Sequence, residues 1–240
     1  GGYPVHRGTA DRAALKCCLE VAERGEGLIL FPEGTRQTGP EVQELFEGAA
    51  YVASKANVPI LPMGIGGSEK AMPKGARMLR PVRLHYEIGT PIPAPRSEDG
   101  GRASREQLHA TTKQLHTELQ RVFDIARAKA DFDHAVELAA STETYAARAT
   151  FYRQQGDIAR AIDDLDKAIY HWPLVRLHED RAKCLILQED YARAIKDLNV
   201  ALAHNAQKVE NYLLRARAQL ASGHAHEGNL DFSNAIRLAP

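Results

Sequence analysis

The sequence predicts two structural units in series, an α/β unit followed by an all-helical unit built from a repeated pair of helices. Over residues 1–95, short and wholly apolar segments alternate with segments of helical periodicity. Beyond residue 104 only helical patterns occur, and there the sequence repeats itself every 33 to 34 residues. With 240 residues, 44% of them hydrophobic and 26% charged, the chain can bury two modest cores.

The first unit is predicted to contain three strands among its helices. One helical pattern starts behind Thr9 as its cap, has Asp11 in the first turn where the helix dipole favours an acid, and ends at Gly25. A second helix covers residues 45–55. The predicted strands are Gly27–Phe31, Ile60–Ile65 and Val82–Ile88. Because continuous apolar strands need cover on both faces, we expect a mainly parallel sheet flanked by helices.

A proline-rich segment and a polar linker end this unit. Residues 91–95 close it, residues 96–103 have the composition of a linker, and a long helix begins near Ser104. No apolar run approaches the roughly 18–20 residues that would cross a bilayer. The chain opens on Gly1-Gly2 without an initiator Met or a signal peptide, so we expect it to be a fragment.

The helical part carries three copies of one pattern. Ala161, Ala194 and Gly228 occupy equivalent positions, and the first two begin the sequence A-I-x-D-L. Gly156 and Gly223 mark a turn inside the first and third copies. A period of this length, with small residues at close helix crossings, resembles the tetratricopeptide repeat over residues 142–240.

That resemblance implies stacked helix pairs that bind a protein partner. Two positions depart from the repeat pattern: Ala206 stands where the second copy should have proline, and Gly228 replaces the small alanine. No polar capping helix follows Pro240, so either the array continues or a partner covers its end.

Charge and cysteine content exclude several classes of function. The formal net charge is zero, and we therefore expect no nucleic-acid partner. Cys17 and Cys18 are adjacent and Cys184 is distant, so neither a disulfide framework nor a metal site is predicted. This cysteine usage fits a reducing cytoplasm.

The stretch Phe31–Arg36, with the sequence F-P-E-G-T-R, is the most informative part of the chain. It places an acid, a glycine, a hydroxyl and an arginine at the C-terminal end of a predicted buried strand, where open α/β sheets bind ligands. Arg36 suits a phosphate because its planar guanidinium bonds two oxygens at once. On its own, F-P-E-G could also be a simple turn.

Three blocks in order resemble the glycerol-phosphate acyltransferase family, which includes the acyltransferases of 1-acylglycerol-3-phosphate. They are Gly2–Arg7, Phe31–Arg36 and Val58–Pro62, and the middle block matches letter for letter. The resemblance covers about residues 1–125. It implies that residues 1–130 are the C-terminal part of an α/β acyltransferase domain, truncated at its N-terminus and followed by the repeat solenoid over 142–240.

The resemblance also implies roles for individual residues. The substrate-binding set would be Arg7, Glu33, Gly34, Thr35 and Arg36. Of these, the two arginines would contact the phosphate of the acceptor, and Glu33 and Gly34 would shape its pocket and bond its hydroxyls. Pro59 and Pro62 would help to position the strand that lines the site. The family often has Lys just before the glycine of the next helix, where this chain has Glu47 before Gly48.

The family's catalytic His-x4-Asp pair precedes all three blocks, so no catalytic residue is predicted in this chain and the pair is expected upstream of Gly1. His6 and Asp11 have the same spacing, but Asp11 is already explained by the start of a helix. His226 and Asp231 repeat the spacing inside a repeat helix, where catalysis makes no sense. In the family, the His takes the proton of the acceptor hydroxyl, which attacks an acyl thioester on coenzyme A or acyl carrier protein; no resident cofactor is implied.

A basic stretch follows the third block. Five cations recur every three or four residues: Lys70, Lys74, Arg77, Arg80 and Arg83. They could rest on anionic lipid headgroups, or they could be the ordinary charges of an exposed loop. An acceptor with a lipid tail must be reached at a membrane, so we expect a peripheral protein at the cytoplasmic face of the inner membrane.

Two functional hypotheses result. The first is an O-acyltransferase that forms phosphatidate from 1-acylglycerol-3-phosphate, with repeats that recruit a partner and with this chain inactive by itself. The alternative is a protein-interaction scaffold in which the repeats act and the acyltransferase part is a non-catalytic remnant.

Overall fold

The computed structural model describes residues 11–34, 37, 39–71, 78, 80–96 and 102–239. Within them the chain forms two compact units, and the division falls between Asp131 and Phe132, inside one long helix. The N-terminal unit contains a small sheet with helices and the C-terminal unit is wholly helical, so the predicted succession of an α/β unit and an all-α unit is confirmed.

Ten helices and two strands lie within the described residues. In chain order they are α1 (Arg12–Glu23), α2 (Gly48–Ala56), β1 (Met63–Gly66), α3 (Ser68–Ala71), β2 (His85–Ile88), α4 (Arg105–Leu138), α5 (Thr142–Gln154), α6 (Ile158–His171), α7 (Val175–Leu187), α8 (Tyr191–His204), α9 (Val209–Ala221) and α10 (Ala225–Leu238).

The first helix begins at Asp11, which is its N-cap rather than a residue of its first turn. The Asp11 carboxylate accepts hydrogen bonds from the N–H groups of Ala13 and Ala14 at 3.1 and 3.0 Å. These bonds satisfy backbone N–H groups that have no partner within the helix, as an aspartate at the N-cap position commonly does. Thr9, the expected cap, lies outside the described residues.

The sheet in the described residues differs from the one that was predicted. Strands β1 and β2 pair antiparallel, with Met63 opposite Ile88, whereas a mainly parallel sheet was expected. The predicted strand Gly27–Phe31 is not a strand, and 80% of Ile29 and 75% of Phe31 are exposed. A strand requires a neighbour for its N–H and C=O groups, and no described segment pairs with residues 27–31.

A β-bulge interrupts the pairing of the two strands. Ile60 and Ile92 form a bridge through two hydrogen bonds of 2.8 Å, so residues 89–91 stand opposite residues 61–62 between this bridge and the Met63–Ile88 pair. The extra residue frees one backbone donor. The Thr90 N–H donates to Glu118 Oε1 in α4 at 2.9 Å, and the bulge is thereby attached to the helix.

Two glycines allow β1 to lie directly on the backbone of α4. A Cβ added to Gly64 would come within 2.4 Å of the Val122 carbonyl, and one added to Gly66 within 2.0 Å of the Ala126 oxygen. Val122 and Ala126 are fully buried beneath them. Strand and helix therefore approach at a distance that only glycine permits on this face of the strand.

The C-terminal unit consists of three packed helix pairs, α5 with α6, α7 with α8 and α9 with α10. The small residues Ala161 and Ala194 are completely buried, as the repeat pattern requires. Gly228 takes this place in the third pair because a Cβ there would meet Leu220 Cγ at 2.9 Å and the Ala216 oxygen at 3.1 Å. The predicted helix pairs, and the departure at Gly228, are thus accounted for by packing.

The turn inside each pair has a residue with positive φ. Gly156 and Gly223 have φ of +79° and +86°, as expected from their position in the sequence. In the second pair the equivalent residue is Glu189, with φ of +63°. A side chain in this region strains the backbone, so the middle repeat carries a local cost that its neighbours avoid.

One arginine in each repeat bridges two neighbouring helices, an arrangement that we call the arginine clamp. Each arginine binds a carboxylate on the second helix of its own pair and an acceptor on the helix that precedes the pair. The clamps are Arg148 with Asp164 and Asp133, Arg181 with Asp197 and Asp166, and Arg215 with Asp231 and Asn199. The Asp164 bonds hold the pKa of the Arg148 guanidinium above its ordinary value.

The first clamp identifies a half-repeat that sequence analysis missed. Asp133, near the end of α4, stands in the same relation to Arg148 as Asp166 does to Arg181. Residues 131–135 read D-F-D-H-A and residues 164–168 read D-L-D-K-A, exactly one period later. The C-terminal end of α4 therefore takes the place of a second repeat helix ahead of α5.

We predict that Gly66→Ala destabilises the N-terminal unit by about 2 to 3 kcal/mol, because its methyl group overlaps the α4 backbone. Hydrogen exchange of residues 60–66 at increasing urea concentration measures this free energy. Gly48→Ala is the control, since a Cβ at this helix start meets nothing within 4 Å. Equal behaviour of the two variants would contradict the close packing of β1 on α4.

We predict that Arg181→Met lowers the free energy of unfolding of the repeats by about 2 kcal/mol, because the buried Asp197 carboxylate then keeps only His178 as a side-chain partner, at 2.8 Å. Urea denaturation followed by helical circular dichroism measures the loss. Adding Asp197→Leu should restore more than half of it, since no buried charge then remains unpaired. Lys167→Met, which breaks an exposed pair with Asp163, should cost less than about 1 kcal/mol.

Candidate functional site

The predicted substrate-binding residues divide into described and undescribed ones. Glu33 and Gly34 belong to the described residues. Arg7, Thr35 and Arg36 lie outside them, as do His6 and most of the Gly2–Arg7 block. The roles of all five residues remain predictions, and the structure supplies the geometry of the segment that carries two of them.

Residues 31–34 form a tight turn that ends at Gly34. The Gly34 N–H donates to the Phe31 carbonyl at 3.0 Å, and Gly34 has φ of +70°, a conformation that disfavours any side chain. The ring of Phe46 lies over this glycine, so an added Cβ would meet Phe46 Cε2 at 2.7 Å. Glycine is therefore required here both by the backbone and by the aromatic ring above it.

The turn is held from behind by the segment that precedes α2. The Phe46 N–H donates to the Pro32 carbonyl at 2.9 Å, and the Gln43 N–H donates to Glu33 Oε2 at 3.0 Å. Glu33 is half-buried, and its other oxygen, Oε1, makes no hydrogen bond to a described residue. One carboxylate oxygen is thus anchored while the other can accept from a ligand hydroxyl.

Helix α4 fixes that segment in turn. Gln120 accepts from the Val42 N–H at 2.7 Å and donates to the Pro40 carbonyl at 3.1 Å. His116 Nε2–H donates to the Val42 carbonyl at 2.9 Å. An apolar cluster of Leu45, Ile92 and Leu115 lies beneath these polar contacts. The position of Glu33 is therefore set by side chains of α4 that are more than seventy residues away in the sequence.

The third sequence block lies next to the bulge of the sheet. Pro62 is fully buried and its carbonyl accepts from the Gly89 N–H at 2.9 Å, while Pro59 is exposed. The bonds from Arg121, and then from the Thr90 N–H, lower the pKa of Glu118 to about 2. Glu118 is consequently ionised at neutral pH and holds the bulge beside α4.

The surroundings of the turn combine polar and apolar surface. Phe31 and Phe46 are 75% and 67% exposed, and Glu33 belongs to the same turn as Phe31. Such a surface suits an amphiphilic ligand, because its hydroxyls can bond Glu33 while its apolar part covers the aromatic rings.

The residues of the two His-x4-Asp spacings and of the basic stretch either have structural partners or lie outside the described residues. Asp11 caps α1, and Asp231 belongs to an arginine clamp, so neither is available to the nearby histidine as a catalytic partner. Lys70 pairs with Asp131 at 3.7 Å, and Lys74 and Arg77 lie outside the described residues. Within those residues, no cluster of three His, Cys, Asp or Glu side chains could hold a metal ion, and no helix is long and apolar enough to cross a membrane.

Comparison with known proteins places the turn within a recognised segment. Residues 1–66 match the model of the Acyltransferase family. The acyltransferase segment thus contains the blocks Gly2–Arg7, Phe31–Arg36 and Val58–Pro62, and it ends with β1.

Several proteins named 1-acyl-sn-glycerol-3-phosphate acyltransferase are similar to this chain over short stretches. The chloroplastic 1-acyl-sn-glycerol-3-phosphate acyltransferase BAT2 of Brassica napus is 37% identical over 62 residues, which are 26% of this chain and 18% of that protein. A probable enzyme of this name from Mycoplasma pneumoniae is 38% identical over 87 residues, 33% of each chain. The Bacillus subtilis enzyme is 25% identical over 118 residues, 49% of this chain and 55% of its own.

Solved helical structures are similar to part of the chain. The first TPR of Spaghetti (RPAP3), bound to an HSP90 peptide, is 26% identical with a TM-score of 0.39 and covers 41% of this chain and 79% of its own. MamA protein is 17% identical with a TM-score of 0.45, covering 54% and 72%. The assignment of repeats here rests on the helix pairs and arginine clamps of the chain itself.

We predict that Gln120→Leu loosens the turn of the acyltransferase segment, because it removes the two bonds that hold Pro40 and Val42. Hydrogen exchange at Val42, Gln43 and Phe46 should accelerate about tenfold, the effect of losing roughly 1 to 1.5 kcal/mol of hydrogen bonding. Gln114→Leu, at an exposed position of the same helix, should leave these amides unchanged. Unchanged exchange in Gln120→Leu would refute the anchoring role of α4.

Proposed function

We propose that the protein is an O-acyltransferase that transfers a fatty acyl group from an acyl thioester to 1-acylglycerol-3-phosphate, giving phosphatidate. The observation that carries this proposal is the F-P-E-G turn held by α4, in which one oxygen of Glu33 is anchored and the other bonds no described residue. The acyltransferase segment and the names of its relatives support the same reaction class.

In this proposal the acceptor binds across the turn. Arg36, directly after the described part of the turn, and Arg7 bond the phosphate oxygens of the acceptor, as a guanidinium does best in pairs of parallel bonds. Glu33 accepts a hydrogen bond from the glycerol part, and Gly34 and Thr35 complete the predicted substrate-binding set. Phosphate and hydroxyl contacts together orient the free hydroxyl toward the donor.

The chemical step is an acyl transfer between oxygen and sulfur. The acceptor hydroxyl oxygen attacks the thioester carbonyl carbon, the carbon–sulfur bond breaks, and the thiol of coenzyme A or acyl carrier protein leaves with the proton that the hydroxyl loses. A general base must take that proton, and we assign this base to no residue of the chain. The reaction needs no resident cofactor or metal.

The substrate determines where the enzyme must work. A lysophospholipid resides in a membrane, so we place the protein peripherally at the cytoplasmic face of the inner membrane. Apolar side chains on the outward face of the sheet fit contact with lipid, namely Leu61, Met63, Tyr86 and Ile88, which are all substantially exposed. Their alternation along β1 and β2 puts them on the side opposite α4.

We further propose that the helix pairs bind a protein partner. The second candidate function is a scaffold whose acyltransferase part is not catalytic, and the stacked helix pairs with their three arginine clamps favour it. The packed turn at Glu33 favours the enzyme, since a remnant needs neither an anchored carboxylate nor a glycine beneath an aromatic ring.

We predict that Arg36→Ala weakens lysophosphatidate binding by the chain, and kcat/KM of the full-length protein, by about 10- to 100-fold. The reason is the loss of charge-assisted bonds to the acceptor phosphate. Calorimetric titration and a phosphatidate-release assay measure the two quantities. Arg12→Ala, at an exposed position of α1, removes an equal charge and should change neither.

The same variant separates the two candidate functions. An enzyme loses turnover in Arg36→Ala while the repeats keep their partner. If full-length protein transfers no acyl group, or if Arg36→Ala retains full turnover, the proposed role of this site is refuted and the scaffold becomes the better account.

A further inference from the structure

A cavity in the N-terminal unit is lined by residues outside the F-P-E-G turn. It measures about 270 Å³ and opens to solvent. Its lining combines two cations, two hydroxyls and apolar surface, from the residues Tyr51, Ser54, Lys55, Arg102, Ala103 and Leu108. Tyr51, Ser54 and Lys55 lie within the segment that matches the Acyltransferase family, but none of the six residues belongs to the proposed acceptor site.

Helical spacing explains how the cavity is built. Tyr51, Ser54 and Lys55 are three and four residues apart on α2, so they occupy one face of that helix. The opposite wall comes from Arg102 and from Leu108, which flank the start of α4. Ser104 caps that start by accepting a hydrogen bond from the Gln107 N–H at 3.1 Å, which orders the beginning of α4 beside the cavity.

The two cations of the cavity form no ion pair with a described residue. Lys55 Nζ lies 5.8 Å from the centre of the Tyr51 ring, and Arg102 is exposed. Some other cations of this unit are paired, for example Lys129 with Glu87 at 2.6 Å. Both cations are therefore available to a bound anion that enters the cavity.

Two acids on the described helices that form the cavity do not neutralise these cations. Glu47, at the other end of α2, is paired with His109 at 3.4 Å. Glu106 lies in the first turn of α4 and is exposed. Neither lines the cavity.

The geometry points to a binding site for a phosphate group in this cavity, held by Lys55 and Arg102 and bonded by the hydroxyls of Ser54 and Tyr51. A guanidinium, an ammonium and two hydroxyl donors on one cavity match the oxygens of one phosphate, and a volume of about 270 Å³ also accommodates the group that is esterified to it. Leu108 supplies an apolar wall for the group that the phosphate carries.

The site is separate from the acceptor turn. Phe46, which covers Gly34, immediately precedes α2, and Lys55 lies in its last turn. The helix between them spans about 13 Å at 1.5 Å per residue. One phosphate could therefore not occupy both places, and the cavity serves a second phosphate-bearing group.

Two sources could provide this phosphate. The first is the nucleotide phosphates of an acyl–coenzyme A donor, and this source rests on the proposed function. The second is the headgroup of an anionic lipid at the membrane surface, which does not require catalysis. Both offer the same chemistry to Lys55 and Arg102.

The decisive experiment compares the wild-type chain with Lys55→Met/Arg102→Met, using two probes at fixed salt. Adenosine 3′,5′-bisphosphate in calorimetry represents the coenzyme A phosphates, and vesicles with 30% phosphatidylglycerol in phosphatidylcholine represent the headgroup, in a composition on the order of anionic leaflets. We expect the double variant to lose about 10- to 100-fold in affinity for one or both probes. Loss for the bisphosphate alone assigns the coenzyme, and loss for the vesicles alone assigns the lipid.

Arg12→Met/Lys113→Met is the matched control, because it removes two exposed cations elsewhere in the same unit. It should bind both probes like the wild type, and urea midpoints should show that each variant is folded. The proposal is overturned if the wild type binds neither probe or if both double variants bind equally. Arg36→Ala should leave bisphosphate binding intact, so failure of the acceptor site and failure of this cavity are distinguishable.

Discussion

The N-terminal unit depends on the close approach of β1 to α4. With Gly64 and Gly66 against the helix backbone, the strand lies near enough for α4 to organise everything around it. Glu118 then reaches the bulge at Thr90, and Gln120 reaches the segment that holds Glu33. A side chain at either glycine would lift the strand away and weaken these contacts together. The geometry of the candidate acceptor site therefore depends indirectly on the absence of a side chain at Gly64 and Gly66.

In the C-terminal unit, neighbouring helices are held in position by buried ion pairs and not by close backbone contact. Each arginine clamp buries a carboxylate and satisfies it with a guanidinium that also reaches the preceding helix. A buried pair of this kind adds little net stability over an apolar pair, yet it penalises any stacking in which the partner is displaced. The clamps therefore specify the register between neighbouring repeats, while the buried alanines and leucines supply the stabilising contact.

Sequence analysis predicted local features well and distant ones poorly. The period through Ala161 and Ala194, the turns at Gly156 and Gly223, and the helix start near Asp11 all depend on neighbouring residues and could be predicted. The antiparallel pairing of β1 with β2 could not, since apolar strands do not reveal their partners. Residues 27–31 have the composition of a strand but no described neighbour. The hydrogen bond from the Val42 N–H to Gln120 joins residues that are 78 positions apart, so no local sequence pattern predicts it. Asp133 was detectable by extending the period one unit backwards.

The arginine clamp has a consequence for the modularity of the repeats. Asp133, Asp166 and Asn199 are equivalent acceptors, and only the last carries no charge. A chain lacking residues 175–208 would join α6 to α9 one period apart and present Asp166 to Arg215. The array could therefore be shortened by its middle unit without leaving a buried guanidinium unmatched. The same deletion would also remove Glu189, whose backbone is strained. The three helix pairs are therefore interchangeable in their clamps but differ in the backbone strain of their turns.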